Sequence, residues 1–137
     1  MNIAAEKARL MEKSSFTVED LQTIVAILRS PEGCDWDAEQ SHASLRSCLI
    51  NETAEVVEAI DKADDLSLKE ELGDLLLQIV FHATIAKEEG AFTMDDIATE
   101  ICKKMIFRHP HVFKGEAKPD WKVIKEAEKE LRRTGKW

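Results

Sequence analysis

The chain has 137 residues, 27 of them acidic against 19 basic, for a formal charge of -8. That length suffices for one core without disulfides, and that charge excludes a general nucleic-acid backbone binder, which needs a basic face whose counterions are released on binding. With 5 Gly, 3 Pro and no Tyr in a sequence that is 34% charged, helix formers fill most positions and an all-α fold is expected.

The first predicted helix follows Thr17, which with Asp20 has the spacing of a capping box, and carries Leu21, Ile24, Val25 and Leu28 at i, i+3, i+4 and i+7. It stops near Ser30-Pro31, and a loop from Glu32 to Asp37 leads to a long helix over residues 43–63, closed by the polar turn Asp64-Asp65. Ser67 and Glu70 predict the cap of a third helix that ends at Gly90. Thr93 and Asp96 open a fourth, which turns Ile97, Ile101 and Met105 inward and stops before His109-Pro110. Pro119 starts a fifth that runs to Arg132. The result is a helical bundle of about five helices in one domain, 1–137, with its core over about 17–132.

Cys34, Cys48 and Cys102 are odd in number and widely spaced, which fits neither a disulfide framework nor a zinc knuckle and suits a reducing cytoplasm. The opening MNIAAEKARLMEKSS has no signal-peptide apolar run, and no stretch of 18 apolar residues occurs, so no membrane association is expected.

The acidic residues become informative when placed on helices at about 100° per residue. On the long helix Leu45, Leu49, Val56, Ala59, Ile60 and Ala63 form an apolar stripe; Glu52 falls near its middle and Glu55 at its edge. The third helix is apolar almost all round and should be central, yet Glu71, Asp74, Gln78 and His82 draw one polar line down it. A carboxylate facing a core costs several kcal/mol unless it is neutralised or matched by a cation, on the order of magnitude of buried-charge penalties. Two helices joined by a short connection are antiparallel neighbours, so Glu52-x-x-Glu55 meets Glu71-x-x-Asp74. Oxygen-only ligands that would otherwise repel one another favour a hard divalent cation, magnesium first, with manganese as a substitute. Such an ion offsets phosphoryl charge and makes water a better nucleophile.

Each residue also has a plainer role. Glu52 and Glu55 could edge a solvated helix, Glu71 and Asp74 could be first-turn acids favoured by the helix dipole, and His82 reads best as a hydrogen-bonded structural residue. Lys104 and Arg108 could be ordinary C-terminal helix charge; Trp36 could be a packing plug or a base platform, and Trp121 core or nucleotide contact.

In chain order, Cys34-Asp-Trp-Asp-Ala-Glu-Gln-Ser-His-Ala-Ser-Leu45, Asn51-Glu-Thr-Ala-Glu55, Lys69-Glu-Glu-Leu-Gly-Asp-Leu-Leu-Leu-Gln-Ile-Val-Phe-His-Ala83 and Arg108-His-Pro-His-Val-Phe113 resemble the MazG-type nucleoside triphosphate pyrophosphohydrolases, over about residues 17–132. The resemblance implies an all-α fold whose four-helix core is completed by homodimerisation, as a dimer or a dimer of dimers. It also implies magnesium-dependent hydrolysis of nucleoside triphosphates to monophosphate and pyrophosphate. By position, Glu52, Glu55, Glu71 and Asp74 match the metal ligands and catalytic acids, Lys104 and Arg108 the residues that touch the triphosphate, and Trp121 and Lys125 a pair at the nucleotide; Trp36 is a further nucleotide-binding candidate. Departures are Asn51, where many members have Glu, Asp35 in place of Pro, and Phe107 in place of a basic residue. A missing carboxylate at Asn51 bears on the general base. The alternatives are a catalytically weak or silent helical module that binds nucleotide or a partner, and a di-iron carboxylate bundle. The second is disfavoured because Glu39-x-x-His42 is the chain's one such pair.

Overall fold

A computed structural model describes all residues, Met1–Trp137, and its regular elements are helices without exception. They are α1 (Ile3–Met11), α2 (Val18–Leu28), α3 (Asp35–Glu39), α4 (Arg46–Asp61), α5 (Asp65–Glu88), α6 (Met94–Arg108), α7 (Pro110–Phe113) and α8 (Trp121–Arg133). The five predicted helices are present as α2, α4, α5, α6 and α8, so the total is eight rather than five. Helices α3 and α7 are too short for a period to show, and α1, nine residues long, buries none of its residues.

Local capping sets the boundaries. Thr17 accepts from the Asp20 amide while the Asp20 carboxylate accepts from the Thr17 amide, the capping box expected at α2. At α5 the cap is Asp64, not Ser67: its carboxylate accepts from the amides of Leu66 and Ser67, and the Ser67 hydroxyl donates to it at 2.7 Å. The helix therefore begins at Asp65, its first-turn donors met by a carboxylate whose charge also suits the N-terminal end of the helix dipole. Asp120 likewise caps α8, which starts at Trp121 rather than Pro119.

Two compact units divide the chain, Met1–Met94 and Asp95–Trp137. In the first, α5 packs along α4 and against α2, while α1 and α3 lean on α2. Its core is Val25, Leu45, Val80, Phe81 and Ile85. Helix α5 is central, as its composition predicts, yet Leu72 and Ile79 lie exposed on it, as do Leu49 and Ile60 of the predicted α4 stripe. Asp20, only 3% exposed, joins α1 to α2 by ion pairs with Arg9 at 2.9 Å and Lys13 at 2.6 Å. These cations hold its carboxyl far below the usual aspartate range, Lys13 foremost, with the Thr17 amide next. Gly33 lets the α2–α3 loop close, since a β-carbon there would sit 2.2 Å from the carbonyl oxygens of both Ile27 and Leu28. Leu45 is 1% exposed and fastens the start of α4 to the core. Leu45→Ala is expected to lower unfolding free energy by about 2–5 kcal/mol, the range for a leucine deleted from a packed interior, measured by urea denaturation.

The second unit is built differently. Pro110 and Glu128 are its buried residues, and Ile101 and Met105, expected to point inward, lie 48% and 38% exposed. Long polar side chains tie α6 to α8 instead: Glu128 accepts from Arg108 Nε at 2.7 Å and Arg132 Nε at 3.0 Å, and Arg132 also pairs with Glu100. Trp137 takes the edge of Phe107 and lies under the Arg132 guanidinium, 4.4 Å from its ring centre.

Candidate functional site

In the first unit, the tight connection after Asp61 turns α5 back along α4 and sets Glu52 and Glu55, three residues apart on one helix, against Glu71 and Asp74 on the other. One carboxylate oxygen from each of the four lies within 4.8 Å of the others. All four predicted acids are thus brought together. Glu55 is exposed and the other three are half-buried. One oxygen each of Glu52 and Glu71 is shielded from water and has no hydrogen-bond partner, a costly state for a carboxylate.

The electrostatics express that crowding. Burial, helped by the charges of Glu55 and Asp74, raises the Glu52 carboxyl above its ordinary value. Contact with the Glu55 carboxylate, then burial, raises Glu71 to about 7. An oxygen-only donor set with two orphaned buried oxygens fits a divalent cation, because the ion satisfies the oxygens and removes the repulsion in one step. Beside the cluster a cavity of about 260 Å³ is lined by Glu55, Glu58, Ala59, Lys62, Ser67 and Glu71. Asn51 precedes Glu52 on α4 and is exposed.

The rest of the polar line on α5 is internal. Gln78 is buried, and His82 stacks on His42 with Nδ1 atoms 2.7 Å apart, so one ring donates to the other. Burial first, and His42 second, lower the His82 pKa. The structural role expected for His82 agrees with this pairing, which fastens the loop before α4 onto α5. Trp36 lies on α3, 58% exposed, so it does not plug the core.

In the second unit Lys104 and Arg108 sit one turn apart on α6, and Trp121 and Lys125 one turn apart on α8. The Arg108 guanidinium lies 5.0 Å from the Trp121 ring centre and the Lys125 ammonium 5.8 Å. Three of the four predicted nucleotide residues of this unit therefore converge, with Trp121 exposed rather than core. Arg108, His109, His111, Lys118, Pro119 and Trp121 line a cavity of about 220 Å³. Glu128, which orders this cluster, is missing from the sequence-based candidates; the i, i+4 spacing to Arg132 is its one local signal, and its bond to Arg108 across twenty residues has none.

Residues 40–113, a span that includes all four clustered acids, match the family model described as the MazG nucleotide pyrophosphohydrolase domain. The chain belongs to this family. It is 50% identical over 122 residues to the nucleoside triphosphate pyrophosphohydrolase/pyrophosphatase MazG of Thermotoga maritima, covering 87% of this chain and 48% of that protein. It is 43% identical over 120 residues to the nucleoside triphosphate pyrophosphohydrolase of Escherichia coli strain K12, covering 82% and 46%. The Mycobacterium tuberculosis protein of the same name is 41% identical over 102 residues, 69% of this chain and 31% of its own. The chain therefore spans about half the length, or less, of these MazG relatives. No helix of this MazG domain is long and apolar enough to cross a membrane.

Proposed function

We propose that this MazG domain hydrolyses nucleoside triphosphates to nucleoside monophosphate and pyrophosphate, with magnesium held by Glu52, Glu55, Glu71 and Asp74. The observation that carries the reading is the four-carboxylate cluster with its two unpartnered buried oxygens, lying inside the segment that matches the family. When bound, the ion supplies positive charge to phosphoryl oxygens and acidifies a water. The protein's own part is to fix the four carboxylates on two packed helices, so that little rearrangement is needed at the moment of reaction. One water is consumed: its oxygen bonds to phosphorus, the α–β bridging oxygen leaves with pyrophosphate, and the water's proton needs an acceptor. Asn51 carries an amide and cannot take that proton, and a carboxylate of the cluster is proposed to accept it in its place. Lys104 and Arg108 are proposed to hold phosphate oxygens, Trp121 and Lys125 the base and a phosphate, and Trp36 a further nucleotide contact.

Residues 1–137 are proposed to act as one domain with its core over about 17–132, in the cytoplasm. The exposed apolar side chains Leu49, Ile60, Leu72 and Ile79 on α4 and α5 are proposed as the face of a homodimer, alone or paired into a tetramer. Incubation with a panel of nucleoside triphosphates and magnesium tests the activity. Monophosphate with pyrophosphate is the expected product pair. Diphosphate with orthophosphate would place the cut elsewhere, and no product would favour the silent module that Asn51 suggests. Lys104→Ala is expected to raise KM roughly tenfold with little change in melting temperature, as for a lost charged contact to substrate; an unaltered KM in steady-state kinetics would return Lys104 to ordinary surface charge.

A further inference from the structure

Arg108 is held by a residue to which neither the sequence motifs nor the family match assigns a role. Glu128 is 6% exposed, and its two oxygens are both used: Oε1 accepts from Arg108 Nε at 2.7 Å and Oε2 from Arg132 Nε at 3.0 Å. Arg132 is itself paired to Glu100, so the carboxylate is braced from behind. Trp121 covers the Arg108 guanidinium, 5.0 Å from ring centre to carbon. These contacts engage Nε and set the group beside the Trp121 ring, whereas the two terminal nitrogens of Arg108 make no hydrogen bond within the chain. The cavity that Arg108 lines is also lined by His111, whose buried Nδ1 has no hydrogen-bond partner.

A guanidinium fixed at Nε keeps its fork of terminal donors in the geometry that grips two oxygens of a phosphoryl group. Fixing it beforehand removes the loss of side-chain freedom that a mobile arginine suffers on binding. We propose that Glu128 is a positioning residue that holds Arg108 by Nε so that its terminal nitrogens receive the phosphate oxygens of a nucleotide in the cavity beside Trp121. This inference rests on the proposed nucleotide chemistry and names how the anionic part is gripped. Glu128 touches no substrate; it acts through Arg108.

The test measures binding of the α,β-methylene analogues of ATP, GTP, CTP and UTP with magnesium by calorimetry, together with steady-state kinetics on the parent triphosphates. Glu128→Gln is expected to weaken the tightest analogue about tenfold and to raise KM while kcat stays within about twofold, the mark of lost ground-state binding. Arg108→Lys, which has no Nε fork, is expected to weaken it similarly. Because Glu128 acts through Arg108, adding Glu128→Gln to Arg108→Lys should change the dissociation constant less than about twofold further. Multiplicative losses in the double variant, or unaltered binding and KM in Glu128→Gln or in Arg108→Lys, overturn the inference. Should Glu128→Gln not fold, Glu128→Asp, which withdraws the carboxylate by one methylene, carries the test by the same criteria. Binding that responds as expected without hydrolysis of any triphosphate would sink the proposed activity and leave the positioning role standing. Hydrolysis with a KM indifferent to Glu128 would do the reverse, and a chain that binds no analogue overturns the positioning role.

Discussion

Glu52→Gln and Asp74→Asn are each expected to cut pyrophosphate release from nucleoside triphosphates on the order of 10³-fold, the scale seen when a preorganised electrostatic group is removed from a reacting centre. Each replacement is nearly isosteric and deletes one negative charge from a set of oxygens lying within 4.8 Å of one another. Without metal that deletion relieves repulsion and leaves fewer buried charges, so the melting temperature should hold or rise. The combination of lost turnover with preserved stability separates a functional carboxylate from a structural one, whose loss would unfold the protein. Glu52 makes the sharper case, since its shielded oxygen has no partner in the chain and burial already raises its pKa. Product chromatography and a thermal melt on the same samples decide it, and turnover within a few-fold of the parent in either variant would remove that residue from the site.

The acids were legible in the sequence because a helix converts spacing directly into facing direction. E-x-x-E and E-x-x-D put each pair on one side, and the short turn between α4 and α5 leaves little choice but an antiparallel pair. The same logic places Thr17 and Asp20 as a capping box, since all its contacts are local. It fails at α5, where Asp64, expected as a turn residue, caps the helix in place of Ser67, because aspartate serves turns and caps alike and spacing does not tell the two apart. It fails differently in α6: Ile101 and Met105 have the periodicity of an inward stripe but lie exposed, for periodicity says that a face is apolar and not what covers it. Lys104, Arg108, Trp121 and Lys125 came from the family resemblance rather than from spacing, since i, i+4 cations near a helix end are also ordinary helix charge. What joins them, the Arg108 to Glu128 bond and the guanidinium over Trp121, is tertiary. His42 with His82 is the same case, two rings forty residues apart that no local pattern connects.

The largest effect of solution conditions should come from the metal and pH together. Glu71 has an ordinary value of 4.5 and is raised to about 7 in the folded chain, chiefly by the Glu55 carboxylate and then by burial. A raised acid binds its proton more tightly folded than unfolded, so its contribution to stability is fully present below about 4.5 and is lost as pH rises through about 7. Glu52 shifts in the same direction. Asp20 and Glu128 shift the opposite way, but their contributions fade only in acid below the ordinary carboxylate range. His82, lowered by burial and His42, opposes Glu71 within the window, because a histidine that resists its proton favours folding as pH rises. The comparison must therefore be a difference. In EDTA, the melting temperature of the parent minus that of Glu71→Gln is expected to fall between pH 5.5 and pH 8. Magnesium should invert this, since it binds the ionised carboxylates: at roughly 100 times its dissociation constant it stabilises by about 2.7 kcal/mol, which is several degrees for a chain of this size, and most at pH 8. It should do so for the parent and not for Glu71→Gln, with turnover abolished by EDTA and restored by the ion. A parent-minus-variant difference that stays flat with pH in EDTA, together with no response to magnesium, would mean that Glu71 neither shares its proton with the cluster nor holds a cation.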